Sequence, residues 1–367
     1  MLTGPNFESD YVELRTTQYG GRSLFAARDT PAGTRVHSSP GPFAHVIYKD
    51  YRREVCAQCF AYAASDSAPV KVVQSRVWSI KCNPGGLQAS AAWFCSEDCK
   101  KTWEKDETGL LQLQLDAALT KALVASRRKG SKSTNTPSFG SADDLTQDAI
   151  DQAWKNVQEL VASKARLAAF CATIDLEDME LEIARLLVSA IVLRHVSGSN
   201  TNGVVDSDSH RNEIQSWIHF LHIQNNELAN VRERQHILSA HLRIYAFLCN
   251  ALPRYLLQYT PTTVREVLAR DTGNAFGIWD GDRRDEMLGW GIWISASYFN
   301  HSCSPNIRKI RQGRTLYFET SRAVSAGEEL CISYVDTDQP VEQRQKDLES
   351  SWFFRCGCSR CNTESRA

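Results

Sequence analysis

This sequence lacks three features that would indicate a membrane protein, a secreted protein or a strongly charged binding protein. No apolar run approaches the ~20 residues that a transmembrane helix needs. Residues 1–5 do not begin the basic and apolar pattern of a secretory signal peptide. The formal net charge is only −1, so overall charge gives no attraction to nucleic acid or to an anionic membrane. These absences predict a protein of the nucleus or cytoplasm, with no membrane partner and with its thiols kept reduced.

Short strand patterns occupy both ends of the 367-residue chain, and helical periodicity occupies its middle. Turn signals and short apolar runs predict strands within residues 7–48 and again from Asn274 onward. The second region includes a hairpin around Gly313 and a strand over Leu330–Val335. Apolar residues at helical spacing run from Trp103 to about Ser126 and, after a polar stretch at 127–144 that predicts a loop, continue to about Ala269. The two β regions must pair with each other to close a sheet, which predicts an α+β fold.

Cysteine is abundant by contrast, with 12 residues, eight of them in two groups. In a reducing compartment, clustered cysteines indicate a metal site more than disulfides. Cys56 and Cys59 form a CxxC pair, and Cys95 and Cys99 form a CxxxC pair further along the chain. This spacing predicts one tetrahedral zinc site. A redox-active CxxC is the alternative, and no thioredoxin-like βαβ pattern surrounds the motif to support it.

The other group lies near the C-terminal end, where Cys356, Cys358 and Cys361 place three thiols within six residues. Three thiolates do not complete a tetrahedral zinc site, so a fourth ligand must come from elsewhere. Cys303, in the turn-like stretch 300–306, is the best donor. Such a site would fix the C-terminal tail over that turn. The alternative is a set of unligated surface thiols.

Four motifs, in this order along the chain, resemble the signatures of one family. They are Tyr19-Gly20-Gly21-Arg22-Ser23-Leu24-Phe25-Ala26, Asn300-His301-Ser302-Cys303-Ser304-Pro305-Asn306, Gly327-Glu328-Glu329-Leu330-Cys331-Ile332-Ser333-Tyr334 and Cys356-x-Cys358-x-x-Cys361. Together they resemble SET domains, and the cysteine-rich stretch after the first motif is similar to that of the SET–MYND (SMYD) lysine methyltransferases. The resemblance implies an α+β fold in which a SET-type β fold is split by a zinc finger and a helical insert and ends in a post-SET zinc tail.

The resemblance also implies how the chain is divided and what it does. The segments are the N-terminal part of SET at 1–48, a degenerate MYND-type zinc finger at 49–104, a helical insert at 105–270, the C-terminal SET core at 271–337 and the post-SET zinc-binding tail at 338–367. The implied activity is S-adenosylmethionine-dependent N-methylation of a lysine on a protein substrate. That chemistry needs a neutral amine, and a narrow dry channel lowers the cost of deprotonating the lysine.

Site residues follow from the same resemblance, position by position. Tyr334 would be the catalytic residue beside the transferring methyl group. Phe354 would pack against the cofactor's adenine, and the Gly21 turn would line its carboxylate end. Cofactor contacts are implied for Gly21, Arg22, Ser23, Asn274, Asn300, His301, Tyr334 and Phe354. Zinc would be bound by Cys56, Cys59, Cys95 and Cys99, and by Cys303, Cys356, Cys358 and Cys361.

Two positions and the end of the sequence depart from the family pattern. Ser23 stands where many SET domains have a second glycine, and a serine fits there only if its φ angle is ordinary. Trp352 stands where many relatives have a tyrosine that lines the lysine channel, which predicts a narrower channel and fewer methyl groups per lysine. The chain ends six residues after Cys361. Animal SMYD proteins usually continue into a helical C-terminal domain that covers the substrate cleft, so we expect here a more open cleft or a partner that fills it.

The finger is also incomplete by comparison with the family. A complete MYND finger binds two zinc ions, and its second site needs another cysteine pair, a histidine and a cysteine. This chain offers only Cys82 and, where the histidine is expected, Asp106. We therefore expect two zinc ions per chain, one in the finger and one in the tail. The second lobe of the finger would instead be held by packing around Trp93, Phe94 and Trp103, or remain loose.

Two other functions compete with the enzyme. In the first, the finger docks a proline-rich peptide and the SET fold is a scaffold. In the second, the finger binds nucleic acid, although the basic run Arg127-Arg128-Lys129 is more typical of a solvated loop. The joint presence of Asn300, His301, Tyr334 and Phe354 favours the methyltransferase, with a proline-rich peptide as a candidate second partner at the finger.

Overall fold

The computed structural model of the protein describes residues 9–17, 21–63, 78–83, 91–128, 145–199, 217–280 and 286–365. Its strands are β1 Val12–Thr16, β2 Arg22–Ala26, β3 Arg35–Ser39, β4 Ala44–Ile47, β5 Ile80–Cys82, β6 Ala92–Phe94, β7 Ala275–Trp279, β8 Met287–Ile292, β9 Ile307–Gln312 and β10 Thr315–Thr320. Its helices are α1 Glu97–Glu104, α2 Glu107–Arg128, α3 Gln147–Val161, α4 Lys164–Cys171, α5 Asp178–Ser199, α6 Trp217–His222, α7 Glu227–Glu233, α8 His236–Ala251, α9 Thr260–Asn274, α10 Val341–Trp352 and α11 Ser359–Glu364. Three positions of the predicted motifs, Tyr19, Gly20 and Lys129, lie outside the described residues.

Strands from the two ends of the chain pair with each other. β3 pairs antiparallel with β10, and β10 pairs with β9. In a second sheet, β4 pairs antiparallel with β8, and β8 pairs with β7. β1 pairs antiparallel with β2, and β2 also bonds to the 328–330 segment: the Leu330 N–H donates to the Leu24 carbonyl at 2.8 Å, and the Ala26 N–H donates to the Glu328 carbonyl at 2.9 Å. The expected pairing between the two β regions is thus confirmed.

The segment before Tyr334 differs from its prediction. A strand was expected over Leu330–Val335, but only Ile332 makes a bridge there, to His301. The reason lies in the partners of the backbone: Leu330 bonds to Leu24 on one side, whereas the Ile332 N–H donates to the Asn300 carbonyl at 3.0 Å. Because the hydrogen bonds are divided between two partners, no continuous ladder forms.

A glycine turn and a helix break both follow from the local sequence. The hairpin around Gly313 is confirmed, and Gly313 takes φ +61°, a left-handed conformation that glycine adopts without steric cost. The helical pattern after Trp103 is broken into two helices. Asp106 lies between them, and its carboxylate accepts a 2.9 Å hydrogen bond from the Thr108 N–H, which caps the start of α2.

The helical region packs on the second sheet through α5. This helix lies beside β4, where the Ser189 hydroxyl accepts a 2.9 Å hydrogen bond from the His45 N–H. Further along, the Glu182 carboxylate accepts from the Lys49 N–H at 3.0 Å and binds Arg52 at 2.8 Å. α5 is strongly apolar, yet none of the described helices is both long and apolar enough to cross a membrane.

The cysteine-rich segment contacts the turn between β9 and β10. Arg314 in this turn donates to the Ala57 carbonyl at 3.3 Å, and its guanidinium lies 4.2 Å from the centroid of the Phe60 ring. The indole of Trp293 donates to the Arg314 carbonyl at 2.8 Å and fixes the turn. A half-buried, hydrogen-bonded arginine therefore links the first cysteine pair to the sheet.

Candidate active site and zinc centres

Two groups of four cysteines bring their sulfur atoms within 4.8 Å of one another. The groups are Cys56, Cys59, Cys95 and Cys99, and Cys303, Cys356, Cys358 and Cys361. Zinc–sulfur bonds of about 2.3 Å in a tetrahedron would hold the sulfurs about 3.8 Å apart. The Cys59 and Cys95 sulfurs are 3.6 Å apart, and those of Cys303 and Cys361 are 3.4 Å apart. Both donor sets therefore fit zinc.

Local geometry shows why these thiols converge. In the finger, Phe60 adopts φ +60° directly after Cys59, so that its N–H donates back to the Cys56 carbonyl at 2.9 Å. Ser96 caps α1 by accepting a 3.1 Å hydrogen bond from the Cys99 N–H. In the tail, the Cys358 sulfur itself caps α11. A tight turn and a capped helix thus present each cysteine pair.

The predicted second lobe of the finger has no ligand set among the described residues. Cys82 belongs to neither cysteine group, and these residues contain no third group of this kind. Burial and the neighbouring Glu104 carboxylate raise the pKa of the Cys82 thiol above its ordinary value. A single thiol does not supply the four ligands of a structural zinc site.

Packing in this lobe follows the sequence in part. Phe94 and Trp103 meet edge to face, with ring centroids 5.3 Å apart, inside a small core. Trp93 was expected to join them. Instead, the guanidinium of Arg53 lies over the Trp93 ring, 5.1 Å from the ring centroid. The alternation of side chains along β6 explains the difference, because neighbouring residues of a strand face opposite sides.

We predict that the protein, purified without chelator, contains two zinc ions per chain. The two sets of four cysteines, with no third group of this kind among the described residues, lead to this number. Elemental analysis against protein concentration measures it. A ratio near three would reveal a further site, and a ratio near one would mean that one cysteine group is empty.

Tyr334 lies at the centre of an aromatic cluster. Its hydroxyl donates a 2.8 Å hydrogen bond to the Phe299 carbonyl, a contact that the sequence did not signal. The Trp352 ring stacks on it with centroids 5.4 Å apart, and Phe354 meets it edge to face at 6.4 Å. Burial, with the nearby charges of Cys331 and Glu329, raises the pKa of Tyr334 above its ordinary value. The phenol is thus neutral at physiological pH.

The His301 ring joins this cluster to the tail cysteines. Its Nδ1 accepts a 3.0 Å hydrogen bond from the Tyr334 backbone N–H, so its Nε2 carries the proton. That Nε2 lies 3.2 Å from the Cys303 sulfur. The Phe354 ring is 6.1 Å from the imidazole. One histidine therefore contacts both the predicted catalytic tyrosine and a predicted zinc ligand.

The turn that carries His301 is held against the segment before Tyr334. The Asn300 amide donates to the Glu329 carboxylate at 2.9 Å. The Asn306 side chain accepts from the Cys331 N–H and donates to the Glu329 carbonyl, both at 2.8 Å. These bonds fix the relative positions of Asn300, His301 and Tyr334, three residues for which the motif resemblance implies cofactor contacts.

The glycine turn reaches the same segment through β2. Gly21 has φ +72°, and among the described residues no atom other than those of its chain neighbours lies within 4 Å of the place where a Cβ would stand. Ser23 does not have a positive φ and is fully buried, and its hydroxyl makes no hydrogen bond to any described residue. Arg22 donates to the His222 carbonyl and covers the Tyr298 ring at 5.2 Å. The φ required of Ser23 is therefore met.

Asn274 makes its side-chain contacts elsewhere. Its amide nitrogen donates to the Gln224 carbonyl at 2.9 Å and to the Arg270 carbonyl at 2.7 Å, which closes the end of α9. The adjoining Gly273 has φ +92°, and a Cβ placed there would lie 3.8 Å from Trp352. This end of α9 therefore borders the aromatic cluster, while the Asn274 side chain itself serves the helix end.

Comparison with known proteins agrees with these motifs. The SET domain family model matches residues 21–335. "Potential protein lysine methyltransferase SET6" of Saccharomyces cerevisiae is 26% identical over 374 residues, covering 97% of this chain and 96% of the relative. A SET and MYND domain-containing protein of Dictyostelium discoideum is 25% identical over 97% of this chain and 83% of its own length. "Histone-lysine N-methyltransferase SMYD3" of Homo sapiens is 35% identical over 28% of this chain and 23% of its own. Because the family model covers most of the sequence, the chain belongs to the SET domain family.

Proposed function

We propose that this chain is a protein-lysine N-methyltransferase that uses S-adenosylmethionine. The observation that carries the proposal is the position of Tyr334, whose hydroxyl is anchored to the Phe299 carbonyl inside an aromatic cluster. Membership of the SET family and the printed names of the yeast and human relatives support it. A scaffold with no chemistry would not need this arrangement, so the binding-module alternative is not favoured.

The residues present fit the cofactor. The buried Ser23 hydroxyl without a partner is a polar group that a bound ligand would satisfy. Beside it, Gly21 leaves open space next to the backbone. Phe354 has 37% of its surface exposed, although it is a large aromatic ring next to His301. Gly21, Arg22 and Ser23 would hold the amino-acid end, and His301 and Phe354 the adenine end.

Each chain residue then has a chemical task. S-adenosylmethionine, when bound, supplies a sulfonium-linked methyl group. The Tyr334 hydroxyl donates its one hydrogen bond to the Phe299 carbonyl at 2.8 Å, so the lone pairs of its oxygen would be left to accept from the substrate amine. The neutral amine costs about 4.6 kcal/mol at pH 7 in water, and an apolar channel lowers that cost. The Trp352 ring tolerates the developing positive charge by cation–π attraction.

The finer architecture is part of the same proposal. We assign a SET fold divided by a MYND-type finger at 49–104 and a helical insert at 105–270, with SET segments at 1–48 and 271–337. Residues 338–367 would form a post-SET tail. The pairing of β3 with β10 and the two cysteine groups support this division. The proposal also includes a nuclear or cytoplasmic location and a proline-rich peptide partner at the finger. These two points are supported by the sequence alone.

Cofactor binding and methyl transfer test the proposal. Titration calorimetry with S-adenosylmethionine is expected to give a dissociation constant in the micromolar range. Incubation with methyl-labelled cofactor and a cell extract should label protein substrates on lysine. Absence of binding at millimolar cofactor would end the enzyme proposal and leave the scaffold as the remaining candidate.

Trp352 is predicted to limit the number of methyl groups added. Its ring stacks on Tyr334 with a 5.4 Å centroid separation, so its bulk lies beside the amine that Tyr334 would contact. The wild-type protein should produce mainly mono- or dimethyl-lysine, and Trp352→Tyr should shift the product toward trimethyl-lysine. Mass spectrometry of the modified substrate measures the ratio. Trimethyl-lysine as the main wild-type product, unchanged in Trp352→Tyr, would contradict the prediction.

A further inference from the structure

Arg344 is a charged residue in an apolar position. It lies on α10 between Val341 and Leu348, at the three- and four-residue spacing of one helix face. That face packs against the tail cysteines in a small core of buried residues. Only 1% of the Arg344 surface is exposed. Burying a guanidinium is costly, so its contacts must compensate for the lost hydration.

The contacts of Arg344 are with the tail cysteine group and its supports. Its Nε donates to the Cys303 sulfur at 3.4 Å, and one terminal nitrogen lies 3.9 Å from the Cys361 sulfur. The same guanidinium donates to the Gln339 carbonyl and forms an ion pair with Glu364. It therefore bridges α10, α11 and the turn that carries Cys303.

The charge of the predicted zinc centre explains the need for a cation. Four thiolates around Zn²⁺ carry a net charge of −2, and Cys303 and Cys361 are each only 1% exposed. A buried negative centre of this kind is stabilised by N–H donors to sulfur and by a nearby positive charge. Arg344 supplies both.

The neighbouring residue completes the contact. The Gln345 amide donates to the Cys356 carbonyl at 2.8 Å and accepts from the Cys356 N–H at 2.8 Å. α10 thus reaches three of the four cysteines. We propose that Arg344 is a positioning residue of the tail metal centre: it holds the Cys303 and Cys361 thiolates in place and slows the loss of zinc. This inference rests on the proposed tail zinc site.

Arg344→Met and Arg344→Lys test the role. Methionine removes the charge and the donors, whereas lysine keeps the charge and loses the Nε donor to Cys303. We expect one of the two zinc ions to leave about 10- to 100-fold faster for a competing chromogenic chelator in Arg344→Met. Arg344→Lys should be intermediate. The finger zinc is an internal control, because its release should keep the wild-type rate.

Two control variants separate this role from general effects. Gln343→Ala changes an exposed residue of the same helix and should release zinc at the wild-type rate. Arg360→Met removes a second cation, one that donates to the Cys303 carbonyl at 3.1 Å and not to a sulfur, so it should have a smaller effect than Arg344→Met.

The outcomes are distinguishable. Wild-type protein without a tail zinc ion would contradict the proposed zinc site itself. Two zinc ions with release rates in Arg344→Met within twofold of wild type, and native circular dichroism, would overturn the inference about Arg344. If Arg344→Met does not fold, Arg344→Lys decides: zinc release at the wild-type rate would overturn the inference equally.

Discussion

Tyr334→Phe should reduce methyl transfer by about 100-fold or more, the scale on which a single positioned polar group contributes to catalysis. The substitution removes only the hydroxyl that donates to the Phe299 carbonyl at 2.8 Å. The aromatic ring keeps its stacking on Trp352, so the shape of the cluster is preserved. We therefore expect kcat to fall while cofactor affinity changes little. The missing oxygen would contact the substrate amine during transfer rather than hold the cofactor.

The measurement compares initial rates of label transfer with cofactor affinity from calorimetry. Zinc content should match wild type, and the unfolding free energy should fall by about 1–3 kcal/mol because the Phe299 carbonyl loses its donor. Tyr255→Phe is the matched control: Tyr255 is 49% exposed and should keep full activity. Full activity in Tyr334→Phe on the true substrate would show that Tyr334 is not the catalytic residue.

The two groups of four cysteines were the most predictable part of the structure. The CxxC and CxxxC spacings place pairs of sulfurs on one turn or one capped helix, so the ligands are encoded locally. Cys303 could be chosen because three thiolates leave a tetrahedron incomplete. The motif resemblance likewise predicted that Asn300, His301 and Tyr334 belong together, and hydrogen bonds through Glu329 and Ile332 hold them so.

The remaining features depend on contacts between distant segments, which local patterns do not record. The backbone of Leu330 and Ile332 is shared between two partners, so a strand-like sequence yields no strand. The acceptor of the Tyr334 hydroxyl is the backbone carbonyl of Phe299. Every residue has such a carbonyl, so the residue type does not predict this hydrogen bond. Arg344 did leave a signal, a charge at an apolar helix position, but its meaning requires the position of Cys303, 41 residues away.

Cys303→Ser is expected to remove one of the two zinc ions and to reduce methyl transfer by more than about 100-fold. Serine is a poor zinc ligand, and metal binding contributes on the order of 10 kcal/mol to ordering a small metal-bound segment. The Cys303 sulfur lies 3.4 Å from that of Cys361 and 3.2 Å from the His301 Nε2. Losing it should release the tail, with Phe354, and free the imidazole.

A second single-zinc variant makes this prediction specific. Cys59→Ser should also lose one zinc ion, but its site lies in the finger, which contacts the sheet through Arg314 and Phe60 rather than through Tyr334. Its methyl transfer should therefore fall much less than that of Cys303→Ser at equal zinc content. Elemental analysis, cofactor calorimetry and transfer rates on the two variants make the comparison. Equal activities would show that the tail zinc does not order the active site, because metal loss alone would then account for both.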